Sequence, residues 1–256
     1  MNREENIYEI DSEKISTELG VESVALINDM EANAYGLAAL GEEDFELLKE
    51  GSDIPGNAVI ISPGTGLGEA GLYWDGSKYH PYATEGGHCD FCPRTDLDWK
   101  LWKSLHKRYG HVSWERVVSG LGIVNSYKFL RDYRGIPEPE WLKDKIKQGD
   151  APAVITAVAH KKSDPICEET LDLFIRYLAI EAAQFALKTK ATGGVYLGGG
   201  IVPKILQMIN REVFTENFVS AGRMNPLLRQ MPVKVILNAK TPLLGAAYYG
   251  AMANMS

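Results

Sequence analysis

The chain has 256 residues, 45% of them hydrophobic, enough for one large core or two modest domains and too apolar for a disordered segment. Its formal charge of −7, from 34 acidic against 27 basic residues with no dense Lys/Arg cluster, gives no electrostatic footprint for a nucleic-acid partner. The opening MNREENIYEID has no apolar leader, no run approaches the ~18 apolar residues of a membrane helix, and three cysteines build no disulfide framework; a cytoplasmic protein without membrane contact, holding Cys89, Cys92 and Cys167 reduced, is expected.

In chain order, VALI (24–27) reads as a short buried strand that ends at Asn28 and Asp29, and MEANAYGLAAL then has helical composition until Gly41. The charged, then Gly/Pro-rich segment 41–57 marks a hinge or boundary, and NAVIIS (57–62) is a fully buried strand leading into the turn PGTGLG. EAGLYWDGSKYHPY predicts a hairpin around Asp75-Gly76, a dipeptide that tolerates positive φ. Helices are expected from 96 to 130, a Pro-rich charged stretch from 131 to a loop at Ser163-Asp164-Pro165, and then one long helix. Its apolar stripe is Leu171, Phe174, Ile175, Leu178, Ala182 and Ala186. VYL (195–197) starts a strand that breaks at Gly198-Gly199-Gly200 and restarts as the helix IVPKILQMI. VKVIL (233–237) leads into LLGAAYYGAM, a small-residue helix able to pack closely on a neighbour. Strands alternating with helices, plus one hairpin, predict an α/β fold.

Several turns could carry chemistry. Gly64, Thr65, Gly66 and Gly68 follow a strand, where backbone N–H groups can face an anion; a flexible turn accounts for the same glycines equally well. A GxGxxG match over 66–71 lacks the helix that a dinucleotide site needs directly afterwards. Gly198, Gly199 and Gly200 taken alone read as a tight turn, and Asn28-Asp29 taken alone as a helix cap. Glu85 and Glu115 would by default be solvated, and TEGGHCDFCPR (84–94) leaves His88, Cys89 and Cys92 open to a metal or Glu85 and His88 to another ligand. Together, three carboxylates and an amide can satisfy a ring of sugar hydroxyls while glycine loops hold phosphates.

INDMEANAYGL, PGTGLG, EGGHCDF, GHVSWERVVSGLG and GGVYLGGGIVP occur in the order found in bacterial-type glucokinases, the hexokinase branch of the actin-like ATPase superfamily, and the resemblance spans about residues 10 to 250. It implies ATP-dependent phosphorylation of glucose, with Mg²⁺ and with Asp29 as general base. It further implies that Asn28, Glu85, His88 and Glu115 bind the sugar, that 64–68 is a phosphate loop, that 198–200 is the adenosine turn, and that the protein is a homodimer. Sugar kinases of the repressor and open-reading-frame group resemble this chain more distantly and carry a zinc near an equivalent EGGH segment, held by a compact cysteine cluster. Here Cys92 is followed by Pro93, one ligand short of a four-coordinate site, so no metal is assigned and the two cysteines are expected to be small packing residues.

The family's opening Asp-x-Gly-Gly-Thr turn has no counterpart in this sequence. The expected architecture is therefore an α/β, actin-like ATPase (ribonuclease H-like) fold with a large domain, 41–240, and an incomplete small domain, 1–40 and 241–256. A non-catalytic sugar-binding protein is the alternative on the same ground.

Overall fold

The strand read from NAVIIS forms as β2 (Ala58–Pro63), at the centre of a six-stranded sheet, in a computed structural model that describes residues 10–253. The hairpin strands β3 (Leu67–Trp74) and β4 (Tyr79–Thr84) continue antiparallel on one side of it. On the other side β5 (Gly194–Leu197) and β6 (Val233–Ile236) run parallel to β2, and β1 (Phe45–Lys49) closes that edge antiparallel to β6, giving the order β1-β6-β5-β2-β3-β4.

Side chains alternate between two cores, as the period of two along a strand requires. Val59, Ile61, Val195, Leu197, Val233 and Val235 face the larger core, filled by α7 (Pro165–Thr189) and packed around by α3 (Asp96–Tyr109), α4 (Gly120–Arg134), α5 (Glu140–Gln148) and α6 (Ala151–His160). Ala58, Ile60, Ala70, Leu72 and Ile236 face the smaller core, covered by Met30 and Ala34 of α2 (Asp29–Gly36). The predicted stripe of α7 is buried throughout. None of these helices is long and apolar enough to cross a membrane.

Four expectations need correction. Val24–Ile27 is not a strand: no strand pairs with it among the described residues, and Leu26 is 57% exposed. An isolated strand leaves its backbone ladder to water, so apolar composition alone cannot hold one. The expected hinge contains β1, a charged edge strand with a bulge between Leu47 and Lys49, over which Arg211 donates to the Leu47 carbonyl at 2.7 Å. The Pro-rich stretch contains α5 and α6, whose prolines stand at the cap or first turn, where a missing N–H costs nothing. IVPKILQMI is only one α turn, α8 (Val202–Ile205), followed by one 3-10 turn.

Helix α1 (Ser12–Leu19), α9 (Arg211–Val219) and α10 (Asn225–Gln230) complete the chain before α11 (Thr241–Ala253). As its composition predicts, α11 packs closely on α2: a methyl at Gly245 would overlap the Ala32 carbonyl. The first nine and last three residues of the expected small domain lie outside the described residues.

Candidate active site

Because β2, β5 and β6 are parallel, their carboxyl ends share one edge of the sheet, the usual place for a ligand in α/β proteins. Every motif singled out above meets there, on residues 62 to 68.

The glycine loop is a narrow turn, closed by the Gly64 N–H donating to the Gly66 carbonyl at 2.8 Å. Its Gly64 carbonyl also accepts from the Gly120 N–H at 2.8 Å, which fixes the start of α4 against it. Among the described residues the Thr65 and Gly66 N–H groups find no acceptor. Beside this turn, the Gly198 N–H donates to the Ile61 carbonyl at 2.8 Å, and Gly199, at φ +76, lies against the Pro63 carbonyl where a side chain would not fit. The Gly199 and Gly200 N–H groups are likewise without acceptors among the described residues.

Glu115 sits on a 3-10 turn (Trp114–Arg116), not in the first turn of an α-helix, and reaches across to accept the Leu67 N–H at 3.1 Å through Oε2. The turn Gly86–His88 that follows β4 packs on the Leu67 carbonyl through Gly87. It is tied to the Glu115 segment because the Trp114 N–H donates to the Cys89 carbonyl at 2.9 Å and the Phe91 N–H to the Val112 carbonyl at 2.8 Å. Phe91 and Trp114 meet edge-on at 5.0 Å beneath it. Glu85 and His88 stand exposed above, 3.8 Å apart.

At the start of α2, Asn28 does cap the helix: its Oδ1 accepts from Met30 N–H at 2.8 Å and Glu31 N–H at 3.3 Å, while its Nδ2 has no partner among the described residues. Asp29 is exposed; its Oδ1 accepts from the Met30 N–H at 2.8 Å and its carbonyl from Asn33 Nδ2 at 3.1 Å. The helix is brought to the loop by Met30, whose sulfur fills the space a side chain at Gly68 would need.

A glucokinase family model matches residues 4–253. The chain belongs to the glucokinase family. It is 41% identical to the glucokinase of Nostoc punctiforme over 94% of this chain and 75% of that protein, and 37% identical to that of Synechocystis over 95% and 73%. The crystal structure of a glucokinase from an Antarctic psychrotroph superposes with a TM-score of 0.79 at 32% identity, covering 93% of this chain and 71% of that one. A ROK-family glucokinase from Streptomyces griseus, solved with glucose and AMPPNP, shares the fold at a TM-score of 0.61 and 22% identity over 96% and 72% of the two chains. The sheet and its two helical faces are those of the actin-like ATPase fold.

The same sheet edge carries residues that sequence reasoning missed. A cavity of about 350 Å³ beside Gly198–Gly200 is also lined by Asn33, Lys204, Asn238 and Thr241. Thr241 is held by donating its hydroxyl to the Asn238 carbonyl at 2.6 Å. Asn238 lies between β6 and α11 and Thr241 opens α11, a third strand-turn-helix junction that the rule applied at 64 and 198 would have found. A second cavity, about 550 Å³, opens on the other side of Gly200 between α6 and α8.

Cys89 and Cys92 are exposed, so they are not the packing residues expected. They fall in a surface loop whose apolar anchor is Phe91 instead. Among the described residues no three His, Cys, Asp or Glu side chains gather as a metal would require.

Proposed function

We propose that this chain transfers the γ-phosphoryl group of ATP to the 6-hydroxyl of glucose. The observation that carries the reading is the convergence of the five motifs on residues 62–68. N–H groups at Thr65, Gly66, Gly199 and Gly200 without an acceptor among the described residues suit phosphate oxygens. The two cavities flanking Gly200 give room for the nucleoside.

Asn28 through its unused Nδ2, with Glu85, His88 and Glu115, holds the sugar hydroxyls. Asp29 accepts the proton of the 6-hydroxyl as that oxygen attacks phosphorus and the bond to ADP breaks. Phosphoryl transfer asks the protein mainly to position these groups, and Mg²⁺ on the nucleotide supplies neutralisation of phosphate charge. The division into a small domain, 1–40 and 241–256, and a large domain, 41–240, belongs to this proposal, as do a cytoplasmic location and a homodimer.

The test is ADP release from Mg-ATP with and without glucose. Glucose-dependent release that falls at least ~100-fold in Asp29→Asn, with glucose affinity retained, is expected. Normal turnover in Asp29→Asn would remove this residue from the base role, and glucose binding without any release would make the chain a sugar-binding protein.

A further inference from the structure

Beneath the Gly86–His88 turn lies a feature with no part in the chemistry above. Glu69 of β3 and Glu181 of α7 are 1% and 0% exposed, their carboxyls within hydrogen-bonding reach of each other. Glu69 Oε1 and both oxygens of Glu181 have no donor. The charged groups facing the pair are Lys188 of α7 and Arg94 of the loop before α3, both close enough to act only through their fields. Arg94 donates its own guanidinium to the Ser220 carbonyl at 3.2 Å.

Two carboxylates side by side in a dry site cannot both be ionised cheaply, and one proton between them turns an orphaned acceptor into a donor for the other. Burial pushes both groups above the usual carboxylate range, and the Glu69 charge pushes Glu181 further. The pair is coupled to the turn above it by structure. Glu69 pairs with Thr84 across β3 and β4, the Thr84 hydroxyl donates to the Glu69 carbonyl at 3.1 Å, and the Gly86 N–H donates to that hydroxyl at 3.3 Å. Glu69 Oε2 occupies the space where a side chain at Gly86 would stand.

We propose that Glu69 and Glu181 share a single proton and act as positioning residues for the Gly86–His88 turn, so that losing the proton displaces Glu85 and His88 and weakens sugar binding without touching the phosphoryl-transfer step. The effect on sugar rests on the kinase reading above; the proton and the turn do not.

Two measurements separate them. Backbone amide NMR shifts of Gly86, Gly87 and His88, followed through an alkaline titration, should show a step that disappears in Glu181→Gln, whose amide donates to Glu69 permanently. Steps common to the two proteins cancel. The infrared band of a protonated buried carboxyl should be lost over the same pH range in the wild type and be missing from the variant. In parallel, the glucose KM should rise by up to about tenfold per pH unit above that step, the limit for one linked proton, with kcat following the same profile in both proteins. Glu181→Gln should hold KM flat. Glu69→Gln, which donates in the opposite direction, serves should Glu181→Gln not fold.

Amide shifts that titrate identically in wild type and variant would overturn the proposal, as would a KM rise that survives the glutamine. Absence of glucose binding at any pH would instead strike the kinase reading, while the amide and infrared titrations still judge the pair.

Discussion

Gly66 shows how little room the site leaves at single residues. A methyl built there lies 2.5 Å from Glu115 Oε2, the oxygen that accepts the Leu67 N–H. Gly66→Ala should therefore push Glu115 out of place and lower kcat/KM for glucose by about 100-fold, the size of effect an ångström of misplacement produces. Steady-state kinetics at saturating ATP would check it, and a variant with unchanged kcat/KM would mean Glu115 does not touch the sugar. Lys49 makes the opposite point about charge. Its ammonium, 6% exposed, donates to the Glu50, Arg229 and Met231 carbonyls at 2.8, 3.0 and 2.8 Å. Lys49→Met keeps the length and removes the donor, leaving carbonyls at the end of α10 unmet. A loss of about 1–3 kcal/mol in urea unfolding is expected, with glucose KM unchanged.

Among the elements, α2 and α11 form the tightest helix pair, with Gly245 against the Ala32 carbonyl and Gly36 against that of Thr241. Tyr35 and Tyr249 meet edge-on at 5.1 Å on the same contact. The pair carries Asp29 at the start of α2 and Thr241 at the start of α11. Gly245→Ala forces the helices apart. It should cost about 1–3 kcal/mol by overpacking, and it should lower kcat more than a stability-matched substitution such as Lys49→Met. Equal kcat in the two variants would show that the helix pair is structural only. The β1 edge strand, by contrast, was hidden from composition because Glu46 and Lys49 read as solvated charges. Their partners, Arg211 and the Arg229 and Met231 carbonyls, lie more than 150 residues away.

For the whole molecule, the buried carboxyls tie global stability to pH. In the unfolded chain glutamate ionises near pH 4, whereas the folded pair keeps its protons to higher pH because burial disfavours charge. Stability from this source is complete below about pH 4 and is lost as pH rises toward the pair's raised values, with a limiting slope of about 1.4 kcal/mol per pH unit for each proton held. Urea midpoints taken across that window should fall more steeply for the wild type than for Glu181→Gln; parallel slopes would mean the pair is solvated. The sequence by itself determined the central strand, the hairpin, α7, the glycine turns and the family, because buried strands, dipeptide turns and apolar stripes are local patterns. It also placed Asn28, Asp29, Glu85, His88 and Glu115 as candidates, through motifs. Only the tertiary structure decided that these motifs converge on 62–68, that Val24–Ile27 is no strand, and that Glu69 and Glu181 face each other. Those facts depend on which distant segments share a sheet edge or a core, and no local pattern of residues encodes that.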